Sequence, residues 1–378
     1  MTRAKKKADL RRIVQIEPWI DGGELRELKR VIESTFLVED KLTQEFERMT
    51  SDLTGSKHAI AVCNGTMALF VCLKAVGIGS GDEVIVPDLT FAASANAVIL
   101  AGATPVLCDV QEDTFCFDVS RADQLVSEKT RALMPVHLYG QSANMPEVMK
   151  LAARHKLRVI EDAAQGIGVR YQGKHVGSFG DLGVLSYFGN KTVTCGQGGI
   201  VLTDDDSLAK AARRLKNYGR DQKGTFVHES IGFNFAFTDL QAAIGISQMK
   251  KMSLIVSKKR EIHDRYVERL RDLKDFRPVR IDGDCDAVFW FTSFLCEDPQ
   301  ALTSFLAARK IQVRRFFYPL HMQPCYADKK HIPNIDNDFP ASKKAYEQGI
   351  SLPSSYALTD EDQAFVIEQI HFFYENRN

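Results

Sequence analysis

AIAVCNGTMALFVCLKAV, residues 59–76, decides the fold of this chain. Its first five residues form a short apolar run that is typical of a strand buried on both faces. Asn64, Gly65 and Thr66 interrupt the run, and the residues from Met67 to Val76 read as a helix. A buried strand that turns directly into a helix predicts the first part of a βαβ unit.

The same alternation continues along the next hundred residues. Apolar strand-like runs and helical segments follow one another, with strands at 83–86, 105–110, 133–137 and 157–161 and helices at 91–100 and 145–155. Parallel strands need crossover helices, so this order predicts an α/β fold with a mainly parallel central sheet.

The pattern changes near Leu254, where a long charged amphipathic helix runs to Leu273. It leads into a segment that mixes strands, such as Ala287–Phe291, with helices, such as Asp360–Tyr374. We therefore predict a large domain followed by a smaller C-terminal α+β domain. The predicted parts are a basic flexible tail at 1–18, the large domain at 19–253 and the smaller domain at 254–378.

Composition excludes several classes of protein. Lys plus Arg and Asp plus Glu are both 49, and this balance argues against a general nucleic-acid binder. No apolar run approaches the ~20 residues that span a bilayer, and the basic N-terminus lacks the apolar stretch of a secretory signal. The eight cysteines form no CxxC pair and have no zinc-ligand spacing, so we expect no metal site and reduced thiols in a cytoplasmic protein.

The segment SYFGNKTVTCGQGG, residues 186–199, contains one lysine among glycines. Glycine lets the backbone approach a ligand closely. A lysine in a partly desolvated pocket has a lowered pKa and can form a Schiff base with a carbonyl. Lys191 is therefore a candidate nucleophile, although a single lysine is more often a solvated surface charge.

Other polar and aromatic residues follow the predicted strands, where ligands bind in open parallel sheets. Gly65 and Thr66 begin a helix whose free N–H groups suit a phosphate, and Ser186 can donate to the same group. Asp162 ends an apolar strand and needs a cationic partner, and Phe91 can stack on a planar ring. Each residue also has an ordinary reading, as a helix cap, a core aromatic or a surface hydroxyl. Together they supply what is needed to hold pyridoxal 5′-phosphate (PLP).

The ordered motifs resemble the sugar aminotransferases of the DegT/DnrJ/EryC1/StrS family, which are fold-type I PLP enzymes. The resemblance covers nearly the whole chain after the tail. It rests on Gly65-Thr66, PDLTF (87–91), PVHLYGQ (135–141), EDAAQ (161–165), the segment 186–199, GFN (232–234), TDLQAA (238–243) and YPLH (318–321).

The resemblance implies a role for each matching residue. Lys191 is the lysine that binds the cofactor as a Schiff base and then moves protons, and Asp162 pairs with the pyridine nitrogen. Phe91 is expected to stack on the ring, and Gln165 to lie near the ring hydroxyl. Gly65, Thr66 and Ser186 are expected to bind the phosphate. Asn234 is expected to reach the phosphate of the partner subunit, which implies a homodimer with shared active sites. His137 and His321 are expected on the substrate side.

The implied activity is transfer of an amino group from glutamate, which becomes 2-oxoglutarate, to a nucleotide-linked keto-sugar. The Phe-Gly-Asn-Lys form of the lysine motif is similar to that of GDP-perosamine synthases, which indicates a 4-keto-6-deoxyhexose and cell-surface polysaccharide synthesis. Gln197 stands where relatives often have glutamate, and Phe235-Ala236 stand where they usually have a basic pair. These departures leave the cofactor residues unchanged. They allow an alternative in which the acceptor of the amino group is a small phosphorylated ketone or a cyclitol.

Two other functions remain less favoured. PLP-type sugar dehydratases have histidine at the position of Lys191. PLP-binding regulators of DNA carry an added DNA-binding domain, and the residues before the first helix are too few for a helix-turn-helix module.

Overall fold

The computed structural model of this chain describes residues 12–221, 224 and 226–376. Its helices are α1 (Gly23–Ser34), α2 (Lys41–Thr54), α3 (Gly65–Ala75), α4 (Ala93–Leu100), α5 (Val119–Leu125), α6 (Met145–His155), α7 (Asp206–Lys216), α8 (Asp239–Lys250), α9 (Met252–Leu270), α10 (Pro299–Ala307), α11 (Pro340–Gln348) and α12 (Asp360–Glu375). Its strands are β1 (His58–Val62), β2 (Glu83–Pro87), β3 (Thr104–Cys108), β4 (Thr130–Leu133), β5 (Arg158–Asp162), β6 (Arg170–Tyr171), β7 (Lys174–His175), β8 (Leu182–Ser186), β9 (Gly199–Thr203), β10 (Phe276–Pro278), β11 (Cys285–Asp286), β12 (Thr292–Cys296), β13 (Arg314–Arg315) and β14 (Gly349–Leu352).

The central sheet of the described chain has seven strands in the order β1-β9-β8-β5-β4-β2-β3. Strands β3, β2, β4, β5 and β8 pair in parallel, whereas β9 is antiparallel to both of its neighbours. The predicted α/β fold with a mainly parallel sheet is confirmed.

Both faces of this sheet are covered by helices. Ile60 and Val62 of β1 pack with residues of α3, α4 and α7, whereas Ala59 and Ala61 pack with residues of α2 and α8. Successive side chains of a strand point to opposite faces, so these two clusters lie on opposite sides of the sheet. This double burial explains why the strands read as continuous apolar runs rather than as alternating ones.

The C-terminal part is built around an antiparallel sheet in the order β10-β12-β14-β13. Helices α9, α10 and α12 pack on it around a buried core that includes Tyr266, Phe294 and Ile367. The mixed α+β character of this part agrees with the sequence pattern. A third, small sheet has the order β11-β6-β7.

The predicted strand over residues 287–291 is wrong. That segment lies between β11 and β12, and its Val288 N–H donates to the carbonyl of Gly140 at 2.9 Å instead of joining a strand ladder. Trp290 and Phe291 are buried and stack on each other with ring centroids 4.0 Å apart. The segment is apolar because it is packed between the two parts of the molecule, and burial alone does not distinguish a strand from an irregular segment.

The N-terminal segment also differs from its prediction. Residues 1–11 of the predicted flexible tail lie outside the described residues. From residue 12 onward the chain is packed: Ile13 and Gln15 are buried, and Ile13 exchanges backbone hydrogen bonds of 2.9 Å with Lys310 and Gln312. The carbonyl of Gln15 accepts from Ser354 N at 2.8 Å. These pairings attach residues 12–18 to the C-terminal part of the fold.

None of the described helices has the length and apolar character that a membrane crossing requires.

Candidate active site

A cavity of about 440 Å³ lies at the carboxyl ends of β1, β2, β5 and β8. Strand ends meet there because those strands run in the same direction. The structure brings all of the predicted cofactor residues except Asn234 to this cavity, which is lined by Gly65, Thr66, Phe91, Asp162, Gln165, Ser186 and Lys191.

Lys191 lies in the loop between β8 and β9. Its backbone N–H donates to Phe188 O at 2.9 Å, and its amine nitrogen lies 3.8 Å from the centre of the Trp290 ring. Burial lowers the pKa of Lys191 to about 7, against the opposing attraction of the Asp162 carboxylate. The side chain is therefore an available nucleophilic amine at neutral pH.

Asp162 is the last residue of β5 and is buried. Its Oδ2 accepts a hydrogen bond of 2.7 Å from the Ser94 hydroxyl, and its Oδ1 accepts one of 3.1 Å from Ala164 N. No lysine, arginine or histidine among the described residues forms an ion pair with it. A buried carboxylate that has hydrogen bonds but no cation suits a cationic ligand.

The N-terminus of α3 forms the opposite wall of the cavity. Asn64 caps the helix, since its Oδ1 accepts from Met67 N at 2.9 Å, while the N–H groups of Gly65 and Thr66 have no partner within the described chain. A Cβ on Gly65 would lie 3.1 Å from the Ser186 Cβ, so glycine lets the strand end and the helix end approach. The hydroxyls of Thr66 and Ser186 likewise make no hydrogen bond among the described residues. Such a group of donors at a helix N-terminus suits an anion.

Two phenylalanines stand at the mouth of the cavity. Phe91 is 60% exposed, an unusual exposure for an aromatic side chain, and its ring centroid is 5.9 Å from that of Phe317. Both side chains line the cavity. The position of Phe91 is compatible with its predicted stacking role.

Gln165 is buried and accepts a hydrogen bond of 2.7 Å from Tyr139 N through Oε1. Tyr139 has a positive φ of 53°, which is uncommon for a bulky residue. With its oxygen engaged, Gln165 presents its amide nitrogen as the free donor toward a ligand.

The structure does not place His137 on the substrate side. Its ring is completely buried away from the cavity, and its Nε2 lies 3.0 Å from Glu161 Oε2. Glu161 also accepts from the N–H groups of Gly177, Phe179 and Gly180. His137 therefore completes a buried polar network that ties β5 to the loop before β8.

His321 also does not line the cavity. Its backbone N–H and Nδ1 bond the two carboxylate oxygens of Asp88 at 2.8 and 2.7 Å, and its ring stacks on Phe339. Its Nε2 is buried without a partner in the described structure. The residue fastens the loop that carries Phe91 to the segment that carries Phe317.

Asn234 lies outside this cavity, on an exposed segment, where its Oδ1 accepts from Ala236 N at 3.3 Å. It lines a separate surface cavity together with Tyr218, Asn217 and Ala236. Within a single chain it is not brought to the cofactor residues.

Sequence reasoning missed three residues that line the cavity: Trp290, Arg314 and Phe317. Trp290 lies in the segment 287–291, whose apolar pattern predicts a strand, whereas Arg314 begins β13 and Phe317 follows it. The guanidinium of Arg314 makes no hydrogen bond or ion pair among the described residues. Both segments are far from residue 191 in sequence, and the only available signal was their density of aromatic and basic residues.

These features fit pyridoxal 5′-phosphate. The free N–H and hydroxyl donors at the start of α3 match a phosphate, and the uncompensated carboxylate of Asp162 matches a protonated ring nitrogen. The amine of Lys191 lies in the same cavity as both and matches an aldehyde.

Comparisons with known proteins agree over nearly the whole chain. A family model described as the DegT/DnrJ/EryC1/StrS aminotransferase family matches residues 18–371. The GDP-perosamine synthase of Escherichia coli O157:H7 is 36% identical over 370 residues, covering 96% of this chain and 98% of that protein. The GDP-perosamine synthase of Caulobacter vibrioides is 38% identical over 364 residues, covering 94% and 96%. The crystal structure of S. venezuelae DesV has a TM-score of 0.89 at 32% identity and covers 96% of this chain and 100% of DesV.

Proposed function

The chain belongs to the DegT/DnrJ/EryC1/StrS aminotransferase family, and from that premise we propose that it transfers an amino group from glutamate to a nucleotide-linked keto-sugar. It is a PLP-dependent sugar aminotransferase. One observation carries the proposal: the amine of Lys191, the uncompensated carboxylate of Asp162 and the free N–H groups of α3 line a single cavity.

The cofactor, when bound, supplies an electron sink for the charge that develops on the carbon losing its proton. Asp162 would hold a proton on the ring nitrogen, because a buried anion favours the protonated form of a neighbouring base. The Ser94 hydroxyl orients that carboxylate through Oδ2. Gly65, Thr66 and Ser186 would bind the phosphate and fix the ring in the cavity.

Lys191 would hold and move the proton. Its lowered pKa, about 7, lets the amine accept a proton and release it again near neutral pH. Trp290 and Phe317 line the cavity around this amine and limit the access of water. Water exclusion strengthens the electrostatic contacts inside such a site.

We propose a 4-keto-6-deoxyhexose linked to a nucleotide as the acceptor, made into an amino sugar for a cell-surface polysaccharide. The support is the identity of 36 and 38% to two GDP-perosamine synthases over more than nine-tenths of both chains. Glutamate as donor is supported by Arg314, a cation at the cavity wall that has no ion-pair partner among the described residues and suits a carboxylate. We place the reaction in the cytoplasm, a compartment that suits eight free thiols.

We further propose a homodimer with shared active sites. Apolar side chains are exposed in two places. Leu25 and Ile32 lie on α1 and Phe36 follows it, and Ile231, which is 85% exposed, lies near Asn234 in sequence. Exposed apolar residues in such number indicate an interface. A second copy covering them would bring Asn234 toward the partner's cofactor phosphate.

Hybrid dimers test this arrangement. Lys191→Ala and Asn234→Ala chains would each be impaired alone, and mixing them after subunit exchange would give dimers in which one site carries both changes and the other carries neither. Activity recovered on mixing supports shared sites. Shared sites are contradicted if the chain sediments as a monomer. They are also contradicted if the activity of the mixture equals the sum of the activities of the two variants alone.

Replacement of the lysine tests the chemistry itself. Lys191→Ala protein should show no transamination with a keto-sugar and glutamate, whereas Lys150→Ala, a change at an exposed lysine on α6, should leave the rate unchanged. Full activity of the Lys191→Ala protein would contradict the proposed function.

A substrate screen tests the acceptor. The aminated form of the cofactor in the enzyme is mixed with nucleotide-linked keto-sugars, and return of the absorbance of the lysine-bound cofactor is followed. Response to a 4-keto-6-deoxyhexose nucleotide supports the proposal. Response only to a simple keto-phosphate or a cyclitol ketone would replace the proposed acceptor.

A further inference from the structure

Lys259 is a buried lysine on α9, outside the cavity that holds Lys191. Its side chain reaches two backbone carbonyls, that of Ser354 at 2.9 Å and that of Trp290 at 3.2 Å. No carboxylate of the described chain pairs with it. Burial alone lowers the pKa of this amine, to about 7.

This environment is unusual within the protein. Lys216 and Lys251 are also buried, but each has a carboxylate partner, Glu39 at 2.8 Å and Glu24 at 2.7 Å. An amine without a counter-ion is costly to bury, and a leucine or methionine would fill the same space without that cost. What the amine adds at this position is a donor for the two carbonyls.

One of those carbonyls belongs to the residue that covers the reactive lysine. The Trp290 indole N–H donates to Asn190 O at 2.7 Å, and its carbonyl accepts from Lys259. The ring is thus fixed at its edge by the residue preceding Lys191 and at its backbone by α9. Its face lies 3.8 Å from the amine of Lys191.

We propose that Lys259 is a positioning residue that holds the Trp290 ring over the amine of Lys191. It acts through Trp290 and touches neither substrate nor cofactor. The segment 287–291 has no strand ladder, and the backbone bond of Val288 to Gly140 does not reach Trp290, so the contacts of Trp290 with Lys259 and Asn190 fix its place. The proposal rests on the proposed function only for the role of Lys191, and its test needs neither cofactor nor substrate.

The test uses the full chain freed of cofactor. The sequence has two tryptophans, so Trp19→Phe leaves Trp290 as the only indole emitter. In that background Lys259→Met should shift the emission of Trp290 to longer wavelength, because the ring loses its fixed buried position. Lys259→Arg, which keeps donors for both carbonyls, should restore most of the original emission.

The second reading is the reactivity of Lys191. Its acetylation by a small anhydride is measured by mass spectrometry as a function of pH. Lys259→Met should raise the pH at which acetylation of Lys191 is half-maximal by about one pH unit or more. A displaced Trp290 admits water, and the Lys191 amine is then less desolvated. The matched control is Lys251→Met, which removes another buried lysine that donates to a tryptophan carbonyl, that of Trp19, at 3.0 Å. It should leave both readings unchanged.

The outcomes are distinct. Shifts in both readings for Lys259→Met, with rescue by Lys259→Arg, support the proposal. If Lys259→Met has the same Trp290 emission and the same pH midpoint of Lys191 acetylation as the parent, the proposal is overturned. Lys259 would then support only the backbone of Ser354. If Lys259→Met does not fold, Lys259→Leu, which also removes the donor, is measured in the same two ways. Inactivity toward sugars would bear on the proposed function and not on this result.

Discussion

Ser94 and Asp162 are 68 positions apart in sequence, yet the Ser94 hydroxyl donates a hydrogen bond of 2.7 Å to Asp162 Oδ2. Both side chains are buried, and Thr90 lies 3.0 Å from the same hydroxyl. The start of α4 thus supports the carboxylate at the end of β5. Among the described residues that line the cavity, Asp162 carries the only carboxylate, and this contact orients it.

We expect Ser94→Ala to reduce kcat about tenfold, because a hydrogen bond to a charged group contributes ~1.5–3 kcal/mol. Asp162→Asn should cost more, on the order of 10²–10³-fold, since the charge itself is lost. Steady-state rates with saturating substrates measure both effects. Ser253→Ala, on the exposed surface of α9, is the control, and a Ser94→Ala rate equal to that of the control would contradict the supporting role.

Gly65→Ala should weaken retention of the cofactor and destabilise the chain by about 1–3 kcal/mol, as overpacked sites do. The added Cβ would lie 3.1 and 3.3 Å from Cβ and Oγ of Ser186. Urea unfolding of the cofactor-free protein measures the stability. Adding Ser186→Gly should recover it, and Gly283→Ala, where a Cβ meets nothing within 4 Å, should be neutral. A neutral Gly65→Ala would show that the two elements separate without cost.

The gathering of the proposed cofactor residues in one cavity was predictable from sequence because these residues lie at strand ends. Once the strand–helix alternation predicts a parallel sheet, the ends of β1, β5 and β8 must meet at one edge. Asp162 and Lys191 then fall into one cavity without knowledge of a single contact. Gly65 and Ser186, the proposed phosphate ligands, come together at this edge for the same reason.

The rest depended on contacts that sequence does not reveal. His137 follows a predicted strand as Asp162 does, but Glu161 holds its ring inside the protein. Trp290 enters the site from 99 residues beyond Lys191, through an irregular segment whose apolar pattern imitates a strand. Likewise buried Ile13 forms a backbone bridge with Ile311, and nothing near residue 13 indicates that partner.

Asp88→Ala should loosen the mouth of the cavity. Asp88 is completely buried and accepts both hydrogen bonds from His321, so its loss should cost about 3 kcal/mol of unfolding free energy. The loops that carry Phe91 and Phe317 would then separate, and the KM for the sugar should rise. Denaturant unfolding and steady-state kinetics measure the two effects.

The control is Asp336→Ala, which breaks an exposed ion pair with Lys329 in the same region. It should change stability by less than about 1 kcal/mol. Equal effects of the two changes would mean that the Asp88–His321 contact does not hold the mouth together.

The buried amine of Lys259 predicts a dependence of stability on pH. The pKa of Lys259 is about 7 in the folded chain, whereas its ordinary value, which applies to the unfolded chain, is 10.5. Below pH 7 the amine is protonated in both states, and the folded chain bears the full cost of burying the charge. Between pH 7 and 10.5 the unfolded chain binds a proton that the folded chain does not, and stability rises with pH. Relative to Lys259→Met, the parent should therefore gain stability across this window, with a slope of at most ~1.4 kcal/mol per pH unit.

Urea unfolding of the cofactor-free parent and Lys259→Met chains, both carrying Lys191→Ala, measures this difference at several pH values from 6 to about 9. The Lys191→Ala change removes an amine whose titration would differ between the two chains, and the comparison cancels the titration of the cysteines. Lys259→Arg keeps a donor at the same place but stays protonated throughout, so it should lack the rise. A constant difference between parent and Lys259→Met at every pH would mean that the amine is solvated in the folded protein. A parent that loses stability relative to Lys259→Met as the pH rises would have the wrong sign for a buried cation.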